Sequence, residues 1–164
     1  MSALPAGKSA PKFSLTTATG EKLALADALK KGPVLAAFFK VSCPTCQFTL
    51  PFLERIHEAY GQEHFTLLGI SQNDAKDTRE FIQHFGLRFP VLLDGPGFPV
   101  SNQFGLTNVP TLFLISPDAR IQMSSVGFVK ADVESVATDA AQASKKPASP
   151  IFKPGEVVPQ YKPG

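Results

Sequence analysis

Short apolar runs recur along the chain, and segments with a different periodicity separate them. A run in which apolar and polar residues do not alternate is typical of a strand that is covered on both faces of a sheet. The pattern therefore predicts buried strands at 34–40, 65–70, 90–93 and 111–115. A further strand at 121–126 follows a turn, and we expect it to lie antiparallel to the strand before it.

Between these runs, apolar residues return every three or four positions, which predicts amphipathic helices. The longest helix follows Pro44 and is ended by Gly61, and its apolar face is formed by Cys46, Leu50, Leu53, His57 and Tyr60. Asp74 is a suitable N-cap for a second helix, which runs to Phe85. A third helix is predicted at 131–143, with shorter helical pieces at 26–31 and 100–104.

The order of these elements indicates the fold class. Buried strands that alternate with helices imply parallel crossover connections and a sheet covered on both faces. An N-terminal β-hairpin at 13–15 and 22–25, with Gly20 in its turn, is predicted to precede this sheet. We therefore expect an α/β protein with a central sheet flanked by helices.

The end of the chain differs from the rest in composition. Five of the 15 prolines fall within residues 144–164, and this segment carries a net charge of +3. Because proline excludes helices and central strands, we expect one domain at 1–143 and a proline-rich basic tail at 144–164 that is extended or disordered. Two hypotheses remain for the tail: it is solvated, or it docks on its own domain or a partner through Ile151, Phe152, Val157 and Val158.

The overall composition excludes several classes of protein. With 43% hydrophobic residues, 14 Phe and no long apolar run, the sequence predicts a soluble globular protein without membrane insertion. The net charge of +2 is too small to favour nucleic-acid binding. No apolar stretch follows a basic start, so the sequence as written has no signal peptide and the expected location is the cytoplasm. If the N-terminus was trimmed, an exported, periplasmic protein is expected instead.

Both cysteines of the chain lie in one motif, CPTC at 43–46, between a predicted buried strand and the start of the longest helix. Unpaired N–H groups and the positive end of the helix dipole stabilise a thiolate at such a position. Cys43 is therefore the predicted attacking thiol, and Cys46, one turn later on the apolar face, is the predicted resolving thiol. Pro44 suits the first helical turn, where its missing N–H costs nothing.

Two other roles for the cysteines have less support. Purely structural cysteines would seldom stand at this spacing and at this junction. Half a zinc site would need two further ligands, and His57, His64 and His84 do not have the spacing of a zinc-binding histidine pair. No metal site is therefore predicted.

The segment FFKVSCPTC, with Pro51 after it, resembles the active-site strand and kinked helix of the thioredoxin superfamily. Val109-Pro110-Thr111, which leads into a predicted strand, resembles the second motif of that superfamily. The separation of the two motifs leaves room for an additional strand and helix. Together with the N-terminal hairpin, the sequence is similar to the redoxin branch, which contains TlpA/ResA-type thiol–disulfide oxidoreductases and the AhpC/TSA peroxiredoxins. The resemblance covers about residues 10–143.

This resemblance implies a thioredoxin fold with a mixed central sheet and an inserted strand and helix. It implies Cys43, Cys46 and Pro110 as catalytic residues, with Pro110 in a cis peptide bond, and Pro44, Thr45 and Val109 as substrate-binding residues. The implied function is electron exchange with protein disulfides, without a metal or organic cofactor. The implied partners are redox proteins or disulfide-containing substrates, and we expect a monomer.

Three positions depart from the pattern of these relatives. Ser42 stands where a Trp usually precedes the first Cys, Ala37 where thioredoxins have a buried Asp, and Thr49 where ResA-like proteins have a Glu. Both familiar proton acceptors for the resolving thiol are thus absent. Asp74, at the end of the neighbouring strand, is the candidate acceptor, together with water, although helix capping explains Asp74 equally well.

Three alternative functions are weighed against the exchange of disulfides. Peroxiredoxins have a Thr three residues before the peroxidatic Cys and an Arg later in the chain, whereas here Cys43 precedes Cys46 and Val-Pro-Thr occupies the later region. Copper chaperones use CxxxC and a distant His, and the spacing here is one residue too short. In a non-catalytic redox-sensing domain, the CPTC motif would be only a switch and the tail would be the interaction element.

Overall fold

The computed structural model describes residues 2–61 and 63–164, so Met1 and Gln62 lie outside the described residues. Its helices are α1 (Leu25–Leu29), α2 (Pro44–Tyr60), α3 (Ala75–Phe85), α4 (Pro99–Gln103) and α5 (Lys130–Ala143). Its strands are β1 (Ser14–Thr16), β2 (Lys22–Ala24), β3 (Val34–Phe39), β4 (Thr66–Ser71), β5 (Val91–Leu93), β6 (Thr111–Ile115), β7 (Ile121–Val126), β8 (Phe128–Val129) and β9 (Tyr161–Lys162). Among the helices described, none combines the length and the apolar character required to cross a membrane.

The central sheet has five strands in the order β5-β4-β3-β6-β7. The central strand β3 pairs parallel with β4 and antiparallel with β6, which makes the sheet mixed, as predicted. In the register of these pairs, Phe39 lies opposite Ser71, and Phe38 lies opposite Thr111. The last residues of β3 and β4 and the first residue of β6 therefore meet at one edge of the sheet, where the CPTC motif follows β3.

Two apolar cores cover the two faces of the sheet. Leu35, Ala37 and Phe39 of β3 pack into a core with α2 and α5, whereas Val34, Ala36 and Phe38 pack into a second core with α1 and α4. Every residue of β3 is at most 1% exposed. Because an apolar core lies on each side of β3, neither face of this strand meets water. This explains why the run that predicted the strand is apolar throughout.

The remaining elements agree with the predicted α/β architecture. The strands β1 and β2 form the N-terminal hairpin, and Gly20 in the turn between them has a φ of 102°. The strand β5 and helix α4 stand between α3 and β6, in the place of the predicted additional strand and helix. The pairing of β8 with β9 was not predicted, because two-residue strands leave no pattern in the sequence.

The tail at 144–164 packs against the domain, and its only strand or helix among the described residues is the two-residue strand β9. Ile151 is only 7% exposed, and Phe152 and Val158 pack against the core that contains α2 and α5. Near the end of the tail, β9 pairs antiparallel with β8. Of the four residues that the docking hypothesis named, Ile151, Phe152 and Val158 contact the domain, whereas Val157 is 93% exposed. The division of the chain between residues 143 and 144 stays a prediction.

Candidate active site

Cys43 is the N-cap residue of α2, and its backbone is extended, with φ −83° and ψ 116°. Its Sγ accepts a hydrogen bond from the backbone N–H of Cys46 at 3.1 Å, and Pro44 occupies the first turn of the helix. At the N-terminus of α2 the backbone N–H groups have no partner within the helix, and the Cys43 sulfur takes the place of the side-chain oxygen that usually caps them. This hydrogen bond and the helix dipole both favour negative charge on the Cys43 sulfur.

The second cysteine, Cys46, is completely buried, whereas Cys43 is half-buried; both are free thiols. Burial raises the pKa of the Cys46 thiol above its ordinary value, and its hydrogen bond with Cys43 adds to this effect. The backbone of Lys40 acts in the opposite direction, with a smaller effect. Cys46 therefore remains protonated where an ordinary thiol would begin to ionise, and it must lose that proton before it can act as a nucleophile.

The second predicted motif lies directly beside Cys43. The thiol of Cys43 donates to the carbonyl oxygen of Val109 at 3.5 Å, although 66 positions separate these residues in the sequence. The Val109–Pro110 peptide bond is cis, as the resemblance implied. The carbonyl of Pro110 accepts from the N–H of Gly127, which ties this segment to the end of β7. The fold thus brings together Cys43, Cys46, Val109 and Pro110.

The loop that carries Cys43 is fixed by two side chains that sequence reasoning missed. Asn73, just after β4, accepts the backbone N–H of Val41 at 3.0 Å through its Oδ1. Gln47 in α2 donates from its Nε2 to the carbonyl oxygen of Val41 at 2.8 Å. One signal in the sequence could have pointed to Asn73: it is a polar residue directly after a buried strand. Parallel neighbouring strands end at the same edge of a sheet, so a residue at this position lies close to the end of β3, where the CPTC motif follows.

The predicted substrate-binding residue Thr45 contacts the tail. Its Oγ1 donates to the carbonyl oxygen of Pro163 at 2.6 Å. Next to Pro163, Gly164 lies so close to Val109 that a Cβ built on this glycine would collide with the carbonyl oxygen of Val109. The tail therefore lies on the surface that the resemblance implied for substrate, and this position of the tail was not predicted.

The candidate proton acceptor Asp74 is exposed and caps α3, where its Oδ1 accepts the N–H of Asp77 at 2.8 Å. No described contact joins Asp74 to Cys46, and no carboxylate is among the groups that shift the pKa of Cys46. At the two positions where relatives have acids, Ala37 and Thr49 are buried, and the hydroxyl of Thr49 donates to the carbonyl of Thr45. The role of Asp74 stays a prediction.

Metal binding has no support from the arrangement of side chains. In the part of the chain that the structure describes, His, Cys, Asp and Glu side chains form no group of three or more that could hold a metal ion. The site offers two thiols for chemistry: the half-buried Cys43 sulfur at the start of α2 and the buried, protonated Cys46 sulfur one helical turn behind it.

Comparison with known proteins places this site in a family. The sequence profile of the AhpC/TSA family matches residues 6–124, which include the CPTC motif and the Val109–Pro110 segment. The chain belongs to the AhpC/TSA family. This confirms the resemblance to the redoxin branch that the two motifs indicated.

Among the relatives of this AhpC/TSA protein are bacterial proteins named thiol-disulfide oxidoreductase ResA. The protein from Bacillus thuringiensis (strain Al Hakam) is 30% identical over 125 residues, which cover 74% of this chain and 69% of the relative. The protein from Geobacillus kaustophilus (strain HTA426) is 28% identical over 134 residues, which cover 80% of this chain and 76% of the relative.

Solved structures confirm the thioredoxin fold of this AhpC/TSA protein. A putative thiol:disulfide interchange protein DsbE from Chlorobium tepidum has a TM-score of 0.71 and 25% identity, and the match covers 86% of this chain and 99% of that one. The thioredoxin domain of a thiol-disulfide oxidoreductase from Bacteroides vulgatus has a TM-score of 0.73 and 21% identity, with 84% and 98% covered. A peroxidoxin from Mycobacterium tuberculosis shares the fold at a TM-score of 0.72 and 21% identity, with 85% and 97% covered.

Proposed function

We propose that this protein is a thiol–disulfide oxidoreductase that exchanges electrons with protein disulfides through Cys43 and Cys46. The class of enzyme predicted from the CPTC motif, an oxidoreductase, is confirmed by relatives that carry this name. The observation that carries the mechanism is the pairing of a half-buried Cys43 sulfur at the start of α2 with a completely buried Cys46 one turn later.

The reaction begins with the reduced enzyme. The Cys43 thiolate attacks one sulfur of the partner's disulfide, the partner's S–S bond breaks, and its second sulfur leaves as a thiolate that takes up a proton. The Cys46 thiol then loses its proton and attacks the Cys43 sulfur, which releases the first partner sulfur. Two electrons pass from the enzyme to the partner, and the enzyme keeps a Cys43–Cys46 disulfide. With the opposite redox gradient, the same steps run in reverse.

The residues around the sulfurs have distinct proposed roles. The backbone N–H of Cys46 stabilises the negative charge on Cys43 before attack and when Cys43 is the leaving group. The carbonyl of Val109 and the neighbouring Pro110 form the surface along which an extended partner segment would lie, beside Pro44 and Thr45. The partners are therefore redox proteins or substrates with accessible disulfides. A monomeric state and the cellular location stay predictions.

A thiol peroxidase is the alternative with less support. The residue three positions before Cys46 is Cys43 rather than a Thr, and Val109-Pro110-Thr111 occupies the region where the peroxide-orienting Arg is expected. The solved peroxidoxin is 21% identical and supports only the shared fold.

The test is a trapping experiment with insulin as the protein-disulfide probe. We expect the reduced protein to reduce insulin disulfides catalytically when a dithiol regenerates it. The Cys46→Ser variant should accumulate a mixed disulfide with insulin, because Cys43 attacks but no thiol resolves the product. The Cys43→Ser variant is the matched control and should form no such adduct.

Hydrogen peroxide separates the alternatives in the same assay. Rapid catalytic consumption of peroxide, with no turnover of insulin, would replace the proposal with the peroxidase. If neither compound is turned over and Cys46→Ser captures no insulin, CPTC is a switch in a non-catalytic redox-sensing domain.

A further inference from the structure

The tail is held along the whole length of α2. At the start of the tail, the hydroxyl of Tyr60 accepts the backbone N–H of Ser149 at 2.9 Å. The same hydroxyl donates to the carbonyl oxygen of Pro147 at 3.4 Å. Further along, the ring of Phe152 packs edge-on against the ring of Phe52, with 4.9 Å between their centroids. These contacts lie on the C-terminal half of α2, away from the two cysteines.

An ion pair fixes the middle of the tail. Arg55 binds the carboxylate of Glu156 in a bidentate manner, with Nη1–Oε1 at 2.8 Å and Nη2–Oε2 at 2.9 Å. Nη1 of Arg55 also donates to the carbonyl oxygen of Ile151 at 3.0 Å. Hydrogen bonds from Arg55 and from the backbone of Lys153 lower the pKa of Glu156 to about 2. The ion pair thus defines where the tail crosses α2.

Beyond this ion pair, the tail turns toward the active site. The N–H of Lys130 donates to the carbonyl oxygen of Gln160 at 3.0 Å, and β9 then pairs with β8. The Nζ of Lys162 lies 5.1 Å from the centre of the Phe48 ring, near the start of α2. This strand pairing directs the residues that follow toward Thr45 and Val109.

The last described residues lie on the proposed substrate surface. Thr45, inside the CPTC motif, donates to the carbonyl of Pro163, and the backbone of Gly164 lies against the Val109 carbonyl that accepts the thiol of Cys43. A Cβ at position 164 would collide with this carbonyl. The close approach requires glycine, and it leaves no space for a second chain at the same place.

We propose that the tail is an intramolecular ligand of the active-site surface, and that an extended segment of a disulfide-bearing partner must displace residues 160–164 to reach Cys43. This inference rests on the proposed function, because it concerns access to the same two thiols. The tail and the partner segment compete for the Val109 carbonyl and for Thr45. A small disulfide that needs only the Cys43 sulfur does not compete in this way.

The partner that fits this surface has the chemistry that the tail displays. Beside the active site, the tail binds through the backbone carbonyl of Pro163 and a β-strand pair, and two of its last six residues are proline. Proline keeps such a segment extended and lowers the entropy lost on binding. A disulfide flanked by an extended, exposed segment is therefore the expected substrate, whereas a disulfide buried within a rigid domain cannot replace the tail.

The central experiment weakens the tail without changing the site. Glu156→Gln removes the charge that Arg55 binds, and Glu80→Gln, on the exposed surface of α3, is the matched control. The quantities to be measured are the second-order rate constants of the reduced enzyme with insulin and with glutathione disulfide. We expect Glu156→Gln to raise the insulin rate constant by about fivefold or more, because the binding-competent state becomes more populated. The glutathione disulfide rate constant should change less than about twofold, since that reaction needs no displacement.

A charge exchange tests whether the ion pair itself is responsible. Arg55→Glu and Glu156→Arg alone should each raise the insulin rate constant, and the double variant should return it toward the wild-type value. Equal insulin rate constants in the wild type, Glu156→Gln and both single charge variants would overturn the proposal. If the Arg55 variant does not fold, Glu156→Gln decides the question, because its substitution lies on the tail.

Amide hydrogen exchange gives an independent readout. In the mixed disulfide of Cys46→Ser with insulin, we expect faster exchange at Lys130 and at residues 161–162 than in the free variant. Unchanged protection in this adduct would overturn the proposal, because partner and tail would then be bound together. Failure of the proposed function gives a different result: glutathione disulfide and insulin would both be left unreduced by every variant, and the proposal about the tail would fall with it.

Discussion

The loop that carries Cys43 follows β3, a strand whose side chains are all buried. The tail that covers this loop is instead held largely by side chains on the surface of α2. Every residue of β3 is at most 1% exposed, and Asn73 and Gln47 fix the backbone of Val41 from two sides. The tail has one buried apolar side chain, Ile151, among the residues described. The geometry of the thiols is therefore set by the core, and we expect the contacts that hold the tail to open more easily than the core does.

The largest expected difference between the two regions is in stability. Phe113 of β6 is completely buried, and Phe113→Ala should lower the free energy of unfolding by about 3–5 kcal/mol. Phe152 of the tail is only half-buried, and Phe152→Ala should lower it by about 1 kcal/mol. Urea unfolding measures both. Equal losses would contradict the comparison, because they would mean that the tail is as much a part of the core as β6.

Because the buried Cys46 must lose its proton before it attacks, the rate of the resolving step should rise with pH. Since burial raises its pKa, the thiolate fraction of Cys46 should rise about tenfold per pH unit between about pH 6 and 9. With 5,5′-dithiobis(2-nitrobenzoate), the first thiolate released reports attack by Cys43, and the second reports resolution by Cys46. A resolution rate that levels off below about pH 8 would contradict a raised pKa.

The same profile tests the proposed proton acceptor. Asp74→Asn keeps a side-chain oxygen that can cap α3 but removes the base. If Asp74 accepts the proton of Cys46, this variant should slow the resolving step and alter its pH dependence while the first release is unchanged. An unchanged profile would leave Asp74 with helix capping alone.

A smaller effect is expected from the side chain that supports the loop before Cys43. Asn73→Ala leaves the N–H of Val41 without its partner, which should cost about 1 kcal/mol of stability and slow the attack by Cys43 a few-fold. Asn73→Asp retains an acceptor oxygen and is the matched control. The first-release rate measures the attack. If Asn73→Ala attacks at the wild-type rate, the loop is held by β3 and α2 without this hydrogen bond.

The sequence predicted the CPTC segment after β3 better than it predicted the position of the tail, for physical reasons. The run at 34–40 has no polar alternation because both faces of β3 are covered, and the CPTC motif marks the junction between β3 and α2. Both signals are local. The contact of Arg55 with Glu156 spans 101 positions, and proline-rich composition is compatible with a solvated or a docked tail. Asn73 has no motif of its own, and its role depends on the pairing of β3 with β4.

The smallest predicted effect concerns the tail at ordinary pH. Arg55 holds the pKa of Glu156 at about 2, below its usual value of 4.5, so the ion pair favours the docked tail above the usual value and is lost as the pH falls through about 2. The ratio of insulin rate constants between Glu156→Gln and the wild type should therefore be constant from about pH 5 to 8. A ratio that falls toward one as the pH decreases within this range would mean that the docked Glu156 titrates above its usual value, and the tail would then be held by Phe152 and the β8–β9 pair without a strong contribution from Arg55.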